Sequence, residues 1–551
     1  MILHFEGVSY RYPGAESWAL NGLDLTLRPG ESMLIAGSSG SGKSTLCRAC
    51  VGLVPHFHHG EWIGKVIVDG LDTTQHPVYE VFRHAGLVFQ NTDAQLFNQT
   101  VESELTYGLE SLGLAHGEIE QRLSWASRLA ELGDLMDRPP HLLSGGEKQR
   151  VALGSIIALR PRLLLLDEPF THLDPQGTEE LQRILRMMKS EGMAIIVVEH
   201  RLHEIIRDVD RVIVLHQGKI AVEGTPDHVL ARDVSDYGLN LPPLVRLFRE
   251  MGLKGRPLSV PLSLEDAIQA LKDQNLPIPF PARLFEEAKK PSFSSPGTSP
   301  PIAEAEDICF GYHGLPVLQN IHFRLFRGES VALVGRNGAG KTTLIKHLNG
   351  LLRPRSGHLN ILGQETQKKP VSELSRHVGF VWQNPNDQLF KPTVREEVLT
   401  GPEALGSYDP SWSDELFNRF GLVSLLDRSP FTLSEGQKKR VAFAAALAVK
   451  PELVVLDEPT AGQDELFRRE LAKFIVELQR EERTVLLVTH DLEFAAEHAN
   501  RWIVLAEGRI IADGPPEAVM ADSKAMSQAG LRPTQGYQLI QALTRMKEDH
   551  P

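Results

Sequence analysis

The chain has 551 residues, room for three or four compact units of about 150 residues or for two of about 230. Lys and Arg number 58 against 71 Asp and Glu, and the net charge of −13 disfavours a protein whose main task is neutralising phosphate backbones. With 42% hydrophobic and 23% charged residues, the composition is that of a globular protein able to bury large cores, and global disorder is excluded.

Three cysteines cannot build a disulfide framework, and MILHFEGVSYRYPG lacks a basic stretch followed by an apolar core, so a cytosolic protein is expected. Apolar runs such as LLLL (163–166) and AIIVV (194–198) fall far short of the roughly 18 residues a membrane helix needs. In chain order, ESMLIAG (31–37) reads as a buried strand that runs into GSSGSGKS (37–44) and then a helix. Cys47 and Cys50 lie on that helix without a second pair, which favours small core residues over a zinc site. His56, His58 and His59 cluster in GLVPHFHHGE (52–61) without a carboxylate partner, a poor metal site. Helix-favouring sequence over 91–143, including GEIEQRLSWASRLAEL (117–132), predicts a helical subdomain inserted into an α/β pattern of buried parallel strands. LLLLDEP (163–169) and IIVVEH (195–200) are further strands with polar ends. Residues 236–290 carry apolar periodicity around prolines, a small helical extension, and PSFSSPGTSPP (291–301) is a linker too rich in Pro and Ser to pack.

The order then repeats. ESVALVG, GRNGAGKT (335–342), a helical insertion over 384–433, LVVLDEP (453–459), VLLVTH (485–490) and a shorter appendage at GLRPTQGYQLIQAL (530–543) follow in turn. Ser144 to Asp167 and Ser434 to Asp457 are both 23 residues, and Asp167 to His200 and Asp457 to His490 are both 33. Lys43 to Gln90 is 47 residues but Lys341 to Gln383 only 42, so that stretch is elastic. Equal spacings predict equal folds. The expected layout is a domain over 1–235, a helical extension over 236–290, the linker over 291–301, a second domain over 302–525 and a C-terminal helical extension over 526–551. The expected fold class is α/β, and the repeated Gly-rich loops GSSGSGKS and GRNGAGKT make it two P-loop NTPase domains in tandem.

GSSGSGKS and GRNGAGKT fit G-x-x-x-x-G-K-[ST] between a strand and a helix, the context of a phosphate site. Glycines let successive N–H groups curl around phosphate oxygens, and the helix N-terminus adds partial positive charge. The expected phosphate-binding set, read as an ATP site through the resemblance given below, is Gly37, Ser38, Ser39, Gly40, Ser41, Gly42, Lys43, Ser44 and Thr45, with Gly335, Arg336, Asn337, Gly338, Ala339, Gly340, Lys341, Thr342 and Thr343 in the second half. Lys43 and Lys341 are placed to reach the β and γ phosphates, and Ser44 and Thr342 to ligate Mg²⁺. Asp167 and Asp457 supply carboxylates for the Mg²⁺ shell, and Glu168 and Glu458 polarise the attacking water. His200 and His490, at the ends of the next strands, complete the catalytic candidates.

LSGGEKQR (143–150) and LSEGQKKR (433–440) precede the DEP strands, and here the chain resembles the ATP-binding cassette (ABC) proteins, over about 1–230 and 303–525. The resemblance implies an intramolecular head-to-tail pseudo-dimer, in which ATP on one half's phosphate loop is completed by the other half's signature residues. Those residues are Ser144, Gly145 and Gly146 in one half and Ser434, Glu435 and Gly436 in the other. It also implies adenine stacking by Tyr12 and Tyr312, Q-loop and Mg²⁺ roles for Gln90 and Gln383, and D-loop roles for Asp174 and Asp464. Glu147 stands where Gln is usual, with little expected consequence. Glu435 replaces the first signature glycine, and a carboxylate 4 Å from a phosphate charge would cost about 4 kcal/mol at an effective dielectric of about 20. Either it points away, or the site of Lys43 and Ser434 is the weaker. That site retains Glu168 and His200 and is expected to hydrolyse ATP.

After each Q-loop glutamine come NTDAQLF (91–97) with TVESELTYG (100–108), and NPNDQLF (384–390) with TVREEVLTGPE (393–403). These are similar to the ATPases of energy-coupling factor (ECF) transporters, importers of vitamins and transition metals, and the fused arrangement resembles the hydroxymethylpyrimidine/thiamine type. The resemblance implies a transmembrane scaffold subunit, a separate substrate-binding membrane subunit, no nucleic acid, and a peripheral place on the cytoplasmic face of the membrane. Glu102, Glu104, Glu396 and Glu397 are expected to form an acidic surface toward a basic partner. Two rivals stay open. A ribosome-associated ABC-F ATPase would carry a long charged helical linker and a basic balance. A tandem sugar-importer ATPase would have one degenerate site and no repeated DxQLF-like string.

Overall fold

The computed structural model describes residues 1–171, 173–250, 260–273 and 300–549. Most of the predicted linker, and residues 251–259 and 274–290 of the predicted extension, lie outside the described residues. The chain divides into two compact units, Met1–Asn275 with Asp464–Leu466, and Leu276–Gln463 with Phe467–Pro551.

Among its described residues the first unit holds ten strands: β1 (Leu3–Arg11), β2 (Leu20–Leu27), β3 (Ser32–Ala36), β4 (Glu61–Val68), β5 (Leu71–Asp72), β6 (Ala85–Val88), β7 (Leu163–Asp167), β8 (Ala194–Val198), β9 (Arg211–His216) and β10 (Lys219–Gly224). They form an antiparallel sheet in the order β2-β1-β4-β5 and a six-stranded sheet in the order β10-β9-β3-β8-β7-β6, parallel except for the β9–β10 edge. β3, β7 and β8 are buried along their whole length, as their unbroken apolar runs require. Alternate residues serve two cores. Leu34, Leu164, Leu166, Ile195 and Val197 face one, and Met33, Ile35, Leu165, Ile196 and Val198 the other.

The predicted insertion over 91–143 folds into helices Val101–Ser111 and His116–Leu129, and the helix Gly145–Ala158 follows it. Val101, Leu105 and Leu109, spaced by four residues, bury one face of the first of these in the same core as Ala126, Val151 and Ile157. The helices Pro243–Glu250 and Leu264–Asp273 follow, and Leu239 and Val245 pack into that core.

The second unit repeats the plan with β11 (Ala303–Tyr312), β12 (Leu315–Leu325), β13 (Ser330–Val334), β14 (Ser356–Ile361), β15 (Gln364–Glu365), β16 (Val378–Val381), β17 (Leu453–Asp457), β18 (Thr484–Thr489), β19 (Arg501–Ala506) and β20 (Arg509–Gly514). Its sheets run β12-β11-β14-β15 and β16-β17-β18-β13-β19-β20, the same connectivity as the first unit. Its helical insertion over 384–433 comprises Val394–Leu405 and Pro410–Arg419, the helix Glu435–Leu447 follows it, and Ser523–Gln528 and Gln535–Asp549 come last among the described helices. Among the described residues, no helix is long and apolar enough to cross a membrane.

Candidate nucleotide sites

Strand order alone gathers the site. In the first unit β3, β8, β7 and β6 are successive parallel neighbours, with Ile35 opposite Val198, Asp167 opposite Val198, and Val88 opposite Leu166. Their carboxyl ends therefore bring together the loop 37–44, His200, Asp167 with Glu168, and Gln90, at the edge where α/β sheets bind ligands. In the second unit, β13, β18, β17 and β16 do the same for 335–342, His490, Asp457 with Glu458, and Gln383.

Each phosphate loop needs its glycines. Gly37 has φ 151°, and a Cβ there would sit 2.3 Å from the Leu215 carbonyl oxygen; Gly335 has φ 156° and the corresponding distance to Leu505 is 2.2 Å. Lys43 Nζ donates to the carbonyls of Gly37 (2.9 Å) and Ser38 (2.8 Å), and Lys341 Nζ to those of Gly335 (2.6 Å) and Arg336 (3.1 Å). Burial lowers the pKa of the Lys43 ammonium, while Glu168 and Asp167 pull it back up.

The Asp–Glu pairs are crowded with buried carboxylate oxygens. Burial and the adjacent Glu168 push the Asp167 carboxyl up to about 6, against the pull of Ser44 and Lys43. Burial and Glu458 push Asp457 up to about 7, although Thr342 Oγ1 donates to its Oδ2 at 3.3 Å. Asp167 Oδ1 is buried with no hydrogen-bond partner. Such crowded carboxylates fit a hard divalent cation.

Glu168 and Glu458 both adopt left-handed backbone, φ 51° and 46°, a strain that collects at functional sites. His200 Nε2 lies 2.9 Å from Glu168 Oε1, and His490 Nδ1 lies 2.9 Å from Glu458 Oε2. Burial would raise both carboxyls, but His200 with Lys43, and His490 with Lys341, outweigh it and hold them below their ordinary values. Both are therefore ionised at neutral pH and can accept a proton. Gln90 Nε2 donates to Glu168 Oε2 at 2.7 Å, whereas Gln383 is exposed.

The remaining predicted residues sit on the rims of these elements. The Tyr12 hydroxyl lies 3.2 Å from Thr45 Oγ1 and accepts from Arg48 Nη1 at 3.2 Å; Tyr312 packs edge-on against Phe310 and is exposed. Asp174 caps the helix Pro175–Ser190, its Oδ1 accepting from Gly177 N at 2.9 Å, and Asp464 precedes the helix Glu465–Arg480. Ser144 and Ser434 cap the helices Gly145–Ala158 and Glu435–Leu447, so Gly145, Gly146, Glu435 and Gly436 occupy their first turns. Glu147 does as a cap what Gln437 does in the other half: its carboxylate accepts from Ser144 N at 2.8 Å, as Gln437 Oε1 does from Ser434 N at 3.1 Å.

Glu435 finds a partner of its own. Its carboxylate lies 3.0 Å from Lys438 Nζ, which also donates to Asn386 Oδ1 at 2.8 Å. The equivalent Lys148 pairs with Asp93 at 2.6 Å. The second half carries Asn386 where the first carries Asp93, and the lost carboxylate reappears as Glu435.

Two groups depart from expectation. Glu104 and Glu397 are not surface charges: they are 5% and 4% exposed. Glu104 Oε2 accepts from Phe97 N (3.0 Å) and Asn98 N (2.8 Å), and Glu397 Oε2 from Phe390 N (2.8 Å) and Lys391 N (2.7 Å). Only Glu102 and Glu396 remain exposed in that set. Glu199, which the sequence reading passed over, is buried beside Glu168 and His200. Its signal is a charged residue directly after an apolar buried strand. Cys47 and Cys50 are both buried core residues.

The ABC transporter family matches residues 20–171 and 318–461, together just over half of the chain. A protein of Methanosarcina acetivorans provisionally named ABC transporter ATP-binding protein is 36% identical, over 100% of this chain and 91% of its own length. One of the same provisional name from Enterococcus faecalis is 32% identical over 98% and 95%. A solved structure, cbiO1 from Clostridium perfringens, described as part of the ABC transporter complex cbiONQ, is 34% identical and covers 44% of this chain and 99% of its own, at a TM-score of 0.37. With the phosphate loop, the Asp–Glu pair and the closing histidine assembled at matching strand ends in both units, the chain belongs to the ABC transporter family, as an ATP-hydrolysing transporter subunit with two cassettes fused in one polypeptide.

Proposed function

We propose that this ATPase is the energy-coupling subunit of an ECF-type importer for a vitamin or related micronutrient of the hydroxymethylpyrimidine/thiamine kind. It works from the cytoplasmic face of the membrane with a transmembrane scaffold and a separate substrate-binding subunit. The observation that supports this reading is the string after each Q-loop. In both units it ends in an exposed phenylalanine, Phe97 at 66% and Phe390 at 64% exposure, on a turn fixed from below by a buried glutamate. An apolar side chain held out to solvent at the same place in both halves suits a docking contact.

In the proposed cycle the cassettes close on two ATP molecules. Lys43 and the loop 37–44 bind one, completed by Ser434; Lys341 and the loop 335–342 bind the other, completed by Ser144. Ser44, Gln90 and Asp167 would hold Mg²⁺ at the first, and Thr342, Gln383 and Asp457 at the second, where the bound cation neutralises phosphate charge. Glu168 and Glu458, ionised as their surroundings favour, orient water and take its proton, with His200 and His490 fixing each carboxylate. The halves then reopen and pass the motion to the membrane partner.

Affinity purification from native membranes followed by mass spectrometry tests the reading. Co-recovery of a transmembrane scaffold and a small substrate-binding membrane protein is expected. Recovery with ribosomes, or with a sugar-importer permease pair, would replace it.

A further inference from the structure

We propose that Glu199 is a positioning residue of the first-half ATP site, tying the turn behind Glu168 to the backbone of His200 so that these two groups keep one arrangement. The proposal rests on Glu168 and His200 acting in hydrolysis as set out above.

Glu199 is 1% exposed and follows directly on β8. Its Oε1 accepts from Phe170 N at 2.9 Å; its Oε2 accepts from His200 N at 3.0 Å and Arg201 N at 3.4 Å. The Arg201 guanidinium donates to the Phe170 carbonyl. The N–H and C=O of Phe170, two residues beyond Glu168, are thus pinned by side chains from the loop that carries His200. Glu168 itself sits in left-handed backbone, a conformation that persists only when its surroundings over-determine it.

A strand end does not need this carboxylate. Thr489 fills the position in the second half, its hydroxyl donating to Glu458 Oε2 at 3.3 Å and accepting from Asp491 N at 2.9 Å. A carboxylate taken out of water is tolerated only when its oxygens are satisfied, and here what satisfies them is the backbone on both sides of the Glu168–His200 pair. Burial pushes the Glu199 carboxyl up, Arg201 pulls it back, and Glu168 adds to the push.

The test uses the full chain with Glu458→Gln, so that turnover reports the first-half site. Glu199→Ala is expected to lower kcat about tenfold and the isosteric Glu199→Gln about threefold, with KM for ATP and fluorescent-nucleotide binding within about twofold of the parent. Should the alanine variant not fold, the glutamine variant carries the same kcat-against-KM comparison. Unchanged kcat in a folded variant, or a loss confined to KM, would overturn the proposal. Adding Glu168→Gln to the Glu458→Gln parent separates the two readings: abolished turnover leaves Glu199 judged by its own variants, while retained turnover would overturn the hydrolytic reading and this proposal together.

Discussion

The two halves hold the same glutamate–histidine pair but brace the turn behind it from different elements. In the first, Glu199 and Arg201 reach across from the strand-end loop of His200 to Phe170. In the second, the brace comes from the signature helix, where Lys439 Nζ donates to the carbonyls of Pro459 (3.3 Å) and Ala461 (2.9 Å); Gln149 stands at that position in the first half. One half buries an anion on backbone N–H groups, the other a cation on backbone carbonyls. Duplication has kept spacing and strand register while letting each half settle its buried charge separately, so equal geometry does not mean equal electrostatics.

The strongest test of that likeness is to remove each glutamate. Glu168→Gln and Glu458→Gln should each leave measurable ATP turnover and together lower it about a hundredfold or more, the range for losing a general base. If Glu168→Gln retains full turnover, the first half does not hydrolyse and the resemblance between halves stops at binding. A second test strikes what the halves share. Glu104→Ala and Glu397→Ala each orphan two backbone N–H groups and should cost about 1–3 kcal/mol in denaturant unfolding, whereas Glu102→Ala and Glu396→Ala should stay within about 0.5 kcal/mol. Equal effects from all four would remove the claim that the phenylalanine turns are held from below.

How much of this could be read from the chain follows the same division. Motifs at fixed spacing, Lys43, Asp167, Glu168, His200 and their repeats, are legible because strand register and loop chemistry constrain both the residue and its distance. The helical insertion is legible from periodicity. Glu104 was misread as surface because TVESELTYG looks acidic and solvated; yet it lies three residues after Val101 and one before Leu105, on the face those residues bury. Glu435 was legible only as an anomaly, since its explanation lies 49 positions away in Asn386 and requires knowing that Lys438 lies between them. Glu199 is legible only as a charge closing the apolar run AIIVV, and Lys439 is not legible at all, because it partners backbone groups, which leave no mark on sequence.

Lys439 gives a pH-dependent test of the difference. Burial pushes its pKa down to about 8, with Glu458 pulling upward. Between that value and its ordinary one of 10.5 the unfolded chain binds more protons than the folded chain, so stability contributed at this position rises as pH increases through that window and is flat below it. Relative to Lys439→Gln, the wild type should gain on the order of 2 kcal/mol between pH 8 and 10.5, read from urea midpoints at a series of pH values. A constant difference would show that the lysine is not held as a strained buried cation, and the contrast with Glu199 would fail.

The smallest expected effect concerns the exchanged carboxylate. Glu435 is paired with Lys438 but its side chain is 57% exposed, so Glu435→Gly should cost no more than about 0.5 kcal/mol. Restoring Asp with Asn386→Asp should recover that cost only in the Glu435→Gly background, because Lys438 then regains the partner that Lys148 has in Asp93. In wild-type background the added aspartate has no lysine left unmatched, and a non-additivity of a few tenths of a kcal/mol in a double-mutant cycle measures the exchange. The same variants address the signature position. If the carboxylate is engaged by Lys438, Glu435→Gly leaves turnover of the Glu458→Gln protein within about twofold; a rise of tenfold or more, 1.4 kcal/mol of barrier, would mean that Glu435 repels phosphate and that the first-half site is weakened by it.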